Sequence, residues 1–429
     1  MKAIGIDIGT TSVCGVVIDA TTGCVLQSRT KNSNAFLASG HDWEKIQSVE
    51  KIVAVATKIL ESLCTDDVAV IGITGQMHGI VYYDINGQAI SPLYTWQDGR
   101  GNLPYQDTTY AKYLSSHSGY GNVTDFYNRC NNIRPIKAVG YCTIHDYFAM
   151  KLCGLSKPLL HSSNAASMGC YDLQENKFTI DFNGDVVDDY CILGQYKGIA
   201  VSVAIGDNQA SVFSTLADEN DILVNVGTGS QISIISDTFV FAENIETRPY
   251  FGGKYLVVGS ALCGGRAYAL LKNFYSEILG YVASLDEDDV YRIMERMLTK
   301  VSDTSVTVDT RFAGTRSNSA HCASITGLRP ENFTPSHLTR GVLEGMATEL
   351  FEMYRQMDSK HYGMVGSGNA IRRNPALVNV FEKIFGTPMK IPKHMEEASF
   401  GAALFGIISC GILKNDKEAH NLVKYINQS

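Results

Sequence analysis

One hexapeptide pattern occurs twice in this chain. Asp7-Ile8-Gly9-Thr10-Thr11-Ser12 returns as Asn225-Val226-Gly227-Thr228-Gly229-Ser230, and an apolar run precedes and follows each copy. At 429 residues the chain exceeds what one hydrophobic core comfortably serves. A repeat at this separation therefore points to internal duplication and two similar domains. The expected boundary falls between positions 198 and 207, giving domains over 1–203 and 204–429. No Pro/Ser-rich linker separates them, so the halves are expected to pack closely and to move as a hinge.

Around the repeats, short β-branched runs alternate with longer helical patterns, the signature of α/β architecture. Residues 4–8 and 13–18 read as strands joined by the tight Gly9-Thr10-Thr11-Ser12 turn, and 68–73 and 80–83 as two more. Between them the apolar residues from Ile46 to Leu63 recur with helical period, predicting a helix over 45–63. Near the C-terminus, Asn374 and Pro375 supply a cap and a first-turn proline, and Gly386 closes the helix they start. Residues 398–413 are small and apolar. They fall short of the roughly 18–20 needed to span a bilayer, so a buried helix is expected.

Composition narrows the partners. A formal net charge of -8 argues against nucleic acid, whose binding depends on clustered Lys and Arg. The 11 cysteines are odd in number and include no C-x-x-C pair. They support neither a disulfide framework nor zinc, and read as reduced thiols of a cytoplasmic protein. A strand pattern begins at once after Met1, so no signal peptide and no membrane partner are expected.

Several stretches carry chemistry. Thr10, Thr11 and Ser12 set backbone N–H groups and hydroxyls in a tight turn, which can cradle phosphate oxygens or simply close a hairpin. Asp7, at the strand end before it, can hold Mg²⁺; its counterpart is Asn225, which avoids two facing carboxylates. Asp207, in Gly206-Asp207-Asn208-Gln209, stands where an apolar strand breaks and a helix begins. It reads either as a helix cap or as the general base for a sugar hydroxyl, with Asn208 as a hydroxyl partner. Gly75-Gln76-Met77-His78-Gly79 sets polar groups at a strand terminus, the usual ligand position in open α/β sheets, unless His78 is a core residue. Thr95-Trp96-Gln97-Asp98-Gly99-Arg100 suits a polyol and equally a solvated turn. Gly366-Ser367-Gly368-Asn369 lets backbone approach a flat ring, and no P-loop pattern occurs.

Taken in order, Gly5-Ile6-Asp7-Ile8-Gly9-Thr10-Thr11-Ser12, Gly75-Gln76-Met77-His78-Gly79, Gly206-Asp207 and Gly366-Ser367-Gly368-Asn369 resemble the FGGY carbohydrate kinases over essentially the whole chain. The resemblance implies duplicated ribonuclease-H-like domains of the actin/hexokinase/Hsp70-type ATPase superfamily with an interdomain cleft. It implies transfer of the γ-phosphoryl group of ATP, with Mg²⁺, to a small ketose. The Trp96 cluster, and the stretches Ile144-His145-Asp146-Tyr147 and Asn164-Ala165-Ala166-Ser167, look most like sedoheptulokinases; xylulokinases share Gln-Met-His. Carried over residue by residue, it makes Asp207 the base and Asp7 the Mg²⁺ holder. Thr10, Thr11, Ser12, Gly227, Thr228 and Gly229 would meet phosphates, and Gly366, Gly368 and Asn369 would border adenosine. Gln76, Met77, His78, Trp96, Asp98, Arg100 and Asn208 would line the sugar site, and a homodimer is left open. Two departures stand out: Cys14 replaces the Lys or Arg common in relatives, and the chain is compact over 281–314.

Overall fold

Each copy of the hexapeptide closes a β-hairpin at the heart of a mixed sheet. In the computed structural model, which describes residues 1–282, 286–302, 305–315, 318, 320–357 and 361–426, Lys2–Ile8 pairs antiparallel with Ser12–Asp19 and parallel with Val68–Gly75. Asp221–Val226 does the same with Ser230–Ser236 and Gly363–Ser367. The duplication thus extends past the hexapeptide. Asp7 sits beside Thr74, and Asn225 beside Ser367, in equivalent registers. Part of the compact stretch over 281–314 lies outside the described residues.

The chain forms two compact units. The first comprises Met1–Ala217, Arg248–Tyr255 and His394–Lys424; the second comprises Asp218–Thr247, Leu256–Lys393 and Tyr425–Ser429. The first is therefore assembled from three separate stretches of sequence.

In the first unit the sheet runs Ile192–Tyr196, Ile199–Ser202, Val68–Gly75, Lys2–Ile8, Ser12–Asp19, Val25–Asn32. The short strand Ile205–Gly206 pairs with the end of Val68–Gly75. One face is covered by the helix Val49–Leu63, which buries Ile52, Ala56, Ile59, Leu60 and Leu63. It begins later than its periodicity predicts, because Ser48 caps it by accepting the Lys51 N–H, while Ile46–Gln47 is drawn into a strand against Leu93–Tyr94. The apolar 398–413 run forms the buried helix Glu397–Ser409. Three glycines let it lie directly on its neighbours. A Cβ at Gly5, Gly72 or Gly401 would come closer than 3.0 Å to the carbonyls of Ser399, Ala402 and Ala210 respectively.

The second sheet runs Ile245–Pro249, Tyr255–Ala261, Ser230–Ser236, Asp221–Val226, Gly363–Ser367, Met389–Lys390. Helices Pro335–Tyr354 and Pro375–Phe385 contribute Leu350, Val380 and Phe381 to its core. Asn374 caps the latter by accepting the Leu377 N–H, and Gly386 ends it at φ 69, as the sequence leads one to expect. Among the described residues no helix is long and apolar enough to cross a membrane. All 11 cysteines are free.

Candidate active site

Register brings the first unit's acidic residues to one sheet end. Thr74 pairs with Asp7 on one side and with Ile205 on the other, so the chain leaving Ile205–Gly206 enters its helix beside the tip of Lys2–Ile8. Gly206 is the N-cap of that helix, Asp207–Thr215, and Asp207 is its first residue. The capping role open to Asp207 in the sequence is thus filled by glycine. Burial raises the Asp207 carboxyl to about 6, against the opposing pull of Arg248 and of the Asn208 and Asp207 N–H groups. Arg248 also donates to Asn208 Oδ1 at 3.1 Å.

Asp7 is raised to about 7, first by burial and then by the charges of Asp207 and Glu396. Its Oδ1 is buried and accepts no hydrogen bond. An orphaned carboxylate oxygen among other acids is the chemistry that a divalent cation satisfies. Among the described residues no group of three or more His, Cys, Asp or Glu side chains could hold a metal by itself.

The raised pKa has a stability consequence. Folded Asp7 keeps its proton above the ordinary value of 3.8, so the unfolded chain loses that proton first as pH rises. Stability therefore falls between about pH 4 and about pH 7. Asp7→Asn removes this loss. In metal-free buffer the variant is expected to melt above the wild type at pH 8, with the difference closing toward pH 4; calorimetry across that range checks it.

The first turn has its acceptors occupied. Gln47 Nε2 donates to Thr10 O at 2.6 Å, and Ser33 donates both its N–H, at 2.9 Å, and its hydroxyl, at 3.2 Å, to Thr11 O. Gln76, buried at the end of its strand, donates to Gln47 Oε1 at 3.0 Å. Trp96, 46% exposed, donates its indole N–H to Thr10 Oγ1 at 3.0 Å, linking the aromatic cluster to the turn. Cys14 is buried with Sγ 3.6 Å from Ser399 Oγ, and burial pushes its thiol up to about 12. It supplies no charge here.

The remaining polyol candidates separate. His78 is half-buried and stacks on Tyr120 with centroids 4.3 Å apart. Met77 is buried, and a Cβ on Gly206 would lie 2.9 Å from its sulfur. Asp98 and Arg100 turn inward. Arg100 is 0% exposed, bonded through Nε to Asp98 Oδ1 at 2.7 Å and through Nη2 to Oδ2 at 3.1 Å, with Asn128 at 2.6 Å and the Tyr94 ring beneath. This pair rivets the loop that carries Trp96.

The second unit carries a cavity of about 650 Å³, within the range of small-molecule sites. Gly227, Thr228 and Asn369 line it, as do Tyr268, Tyr291, Asn374 and Leu377. The turn is pinned by Gly265 and Arg266, whose N–H groups donate to the Gly227 and Thr228 carbonyls at 2.9 and 3.0 Å. Gly229 is crowded by Gly264 behind the turn. Gly368, at φ 86, passes over Val226 at a distance no side chain permits, and Gly366 packs under Met389. These glycines shape the loop that presents Asn369. Asn225, an uncharged amide where the first unit has Asp7, donates to Ser367 Oγ at 2.7 Å.

Sequence reasoning missed Gln47, Arg248, Glu396 and the Tyr268–Tyr291 pair. Glu396 alone left a trace, as an acid bordering the apolar 398–413 run. Arg248 reaches the first unit through a short excursion of the chain that no local pattern announces.

Two mixed-sheet units, each built around the same hairpin and parallel third strand, form a two-domain fold of the actin/hexokinase type. Residues 2–115 match the N-terminal domain model of the FGGY family of carbohydrate kinases, and residues 222–410 match its C-terminal domain model. The chain belongs to that family and is an ATP-dependent sugar kinase. It is 28% identical to the sedoheptulokinases of Mus musculus and Homo sapiens, over 94% of this chain and 96% of each of those proteins. A solved xylulose kinase from Rhodospirillum rubrum covers 100% of this chain and 93% of its own, with a TM-score of 0.86 at 17% identity. That likeness establishes the fold.

Proposed function

We propose that the chain phosphorylates sedoheptulose to sedoheptulose 7-phosphate with Asp207 as general base. The observation that carries this reading is the Asp207 carboxyl itself, held at the start of its helix and raised to about 6, where a base ionises within the working range of an enzyme. As the acceptor hydroxyl attacks the γ-phosphorus, Asp207 takes its proton. Arg248 holds Asn208, and with it the first turn of the helix, in place for that transfer. Asp7, with its unpartnered Oδ1, would hold Mg²⁺. The ion, when bound, neutralises charge on the β- and γ-phosphates.

Thr10, Thr11, Ser12, Gly227, Thr228 and Gly229 belong to phosphate recognition, and Asn369, with Gly366 and Gly368 shaping its loop, to adenosine. His78, Met77, Gln76, Trp96 and Asn208 serve the sugar, while Asp98 and Arg100 keep Trp96 in place. The reduced thiols fit a cytoplasmic setting. A second reading, a pentulose acceptor, is favoured by Gln76-Met77-His78, the element shared with xylulokinases.

The test is ADP release with sedoheptulose, xylulose, ribulose and fructose. Sedoheptulose is expected to give a kcat/KM at least about tenfold above the others, a difference that contacts to added hydroxyls readily supply. A leading xylulose rate would install the second reading, and no stimulation by any ketose would overturn both.

A further inference from the structure

The three residues that lead into Asp207 are each gripped by a distant side chain. Asn164 Nδ2 donates to Ala204 O at 2.9 Å, Thr74 Oγ1 donates to Ile205 O at 2.8 Å, and Gly206 N–H donates to Ser163 Oγ at 3.1 Å. Two of these grips come from one helix of six residues, Ser162–Ser167. The other end of the same helix holds His78. Ser167 Oγ accepts the His78 backbone N–H at 3.2 Å, and Ser167 O lies 2.7 Å from His78 Nδ1. A carbonyl can only accept, so Nδ1 carries the proton there. His78 stands at φ 73, the left-handed region that disfavours side chains, and the helix stabilises it in that conformation.

The helix is anchored in turn. Asn164 Oδ1 lies 2.8 Å from His145 Nε2, and Nδ2 also donates to Asp146 Oδ1 at 2.7 Å, so the amide orientation is determined on both sides. Ser163 Oγ lies 2.9 Å from His161 Nδ1, which also accepts the Ser163 N–H at 3.1 Å. Nδ1 is therefore the unprotonated nitrogen. The Ser163 hydroxyl proton points at it and a lone pair turns to Gly206. Burial lowers His161 to about 3 and His145 to about 4, which keeps both rings neutral acceptors and donors of fixed sense. Ser163, Asn164, His145 and His161 are all fully buried.

We infer that Ser162–Ser167 is a positioning element that sets Asp207 against His78, and thereby the base against the acceptor sugar. The inference rests on the roles given to those two residues in the proposed function. Ser163 and Asn164 act through the strand end that carries Asp207. Ser167 acts through His78. The two ends of one helix therefore govern different kinetic parameters: misplacing the base slows the chemical step, while releasing His78 loosens the sugar.

Steady-state kinetics of Ser163→Ala and Ser167→Ala test this, with sedoheptulose as the varied substrate and ATP saturating. Ser163→Ala is expected to lower kcat about tenfold with the sugar KM within about twofold of wild type. Ser167→Ala is expected to raise the sugar KM about tenfold with kcat within about twofold. Should Ser163→Ala melt below the assay temperature, Thr74→Ala releases Ile205 from the other side and is expected to reproduce the loss confined to kcat. Changes in both parameters together, or in neither, for both variants overturn the inference. Asp207→Asn is run alongside. Wild-type turnover in that variant overturns the underlying assignment of the base, a result distinct from failure of the helix variants.

Discussion

With Asp207 as the proposed base, Asp207→Asn is expected to lower kcat by about three orders of magnitude, the scale on which a positioned general base acts, and to leave ATP affinity within about twofold. The substitution keeps the size and polarity of the side chain and the cap geometry supplied by Gly206, so the helix Asp207–Thr215 stays in place. It removes the single property that matters, a lone pair able to take a proton. Nucleotide affinity is expected to be spared because the cavity proposed for the nucleotide, lined by Gly227, Thr228 and Asn369, belongs to the second unit. Titration calorimetry with ATP and single-turnover kinetics separate the two effects. The pH profile sharpens the result. Asp207 must be ionised to act, so wild-type kcat/KM falls as pH drops below about 6, and the residual activity of the variant loses that limb. Wild-type turnover in Asp207→Asn removes the residue from the mechanism.

The second large effect is structural. Gly401→Ala is expected to destabilise the protein by about 3 kcal/mol or more, because its new Cβ meets the Ala210 backbone, which cannot rotate away as a side chain can. Ala210 lies in the helix that Asp207 begins, so the strain passes directly to the proposed base. Gly72→Ala, which meets the Ala402 carbonyl from the sheet side, should behave alike. Gly40→Ala, with nothing within 4 Å, is the control and should stay within about 0.5 kcal/mol. Urea unfolding of the three variants checks the order, and a mild effect at Gly401 would show that the helix is free to shift.

Much of this was legible in the sequence. The two hexapeptides announce their hairpins because a Gly-Thr turn between apolar runs is a local signal, and Asn374, Pro375 and Gly386 bound their helix for the same reason. Asp207 could be singled out by its position at a strand break. Whether Asp207 caps its helix depends on where that helix begins, and in three dimensions Gly206 takes the cap position. The pairings of Asp7 with Thr74 and of Asn225 with Ser367 escaped notice because parallel strands are joined by long crossovers, which erase any local trace of register. The burial of Arg100 escaped the sequence for a related reason. A cation beside an aromatic residue looks the same in sequence whether it faces a sugar or the Tyr94 ring beneath it.

The glycine-seated helix Glu397–Ser409 has a consequence for how the chain is made. It closes one face of the sheet built by Lys2–Ile8 and Val68–Gly75, yet it is synthesised more than three hundred residues later. A ribosome delivers most of the second unit before this piece of the first. The earlier strands must therefore wait with their glycine face uncovered, during which time they are exposed to premature association. Demand for a holding chaperone during synthesis, and poor recovery of any fragment ending before residue 397, are built into the order in which this fold is spelled out.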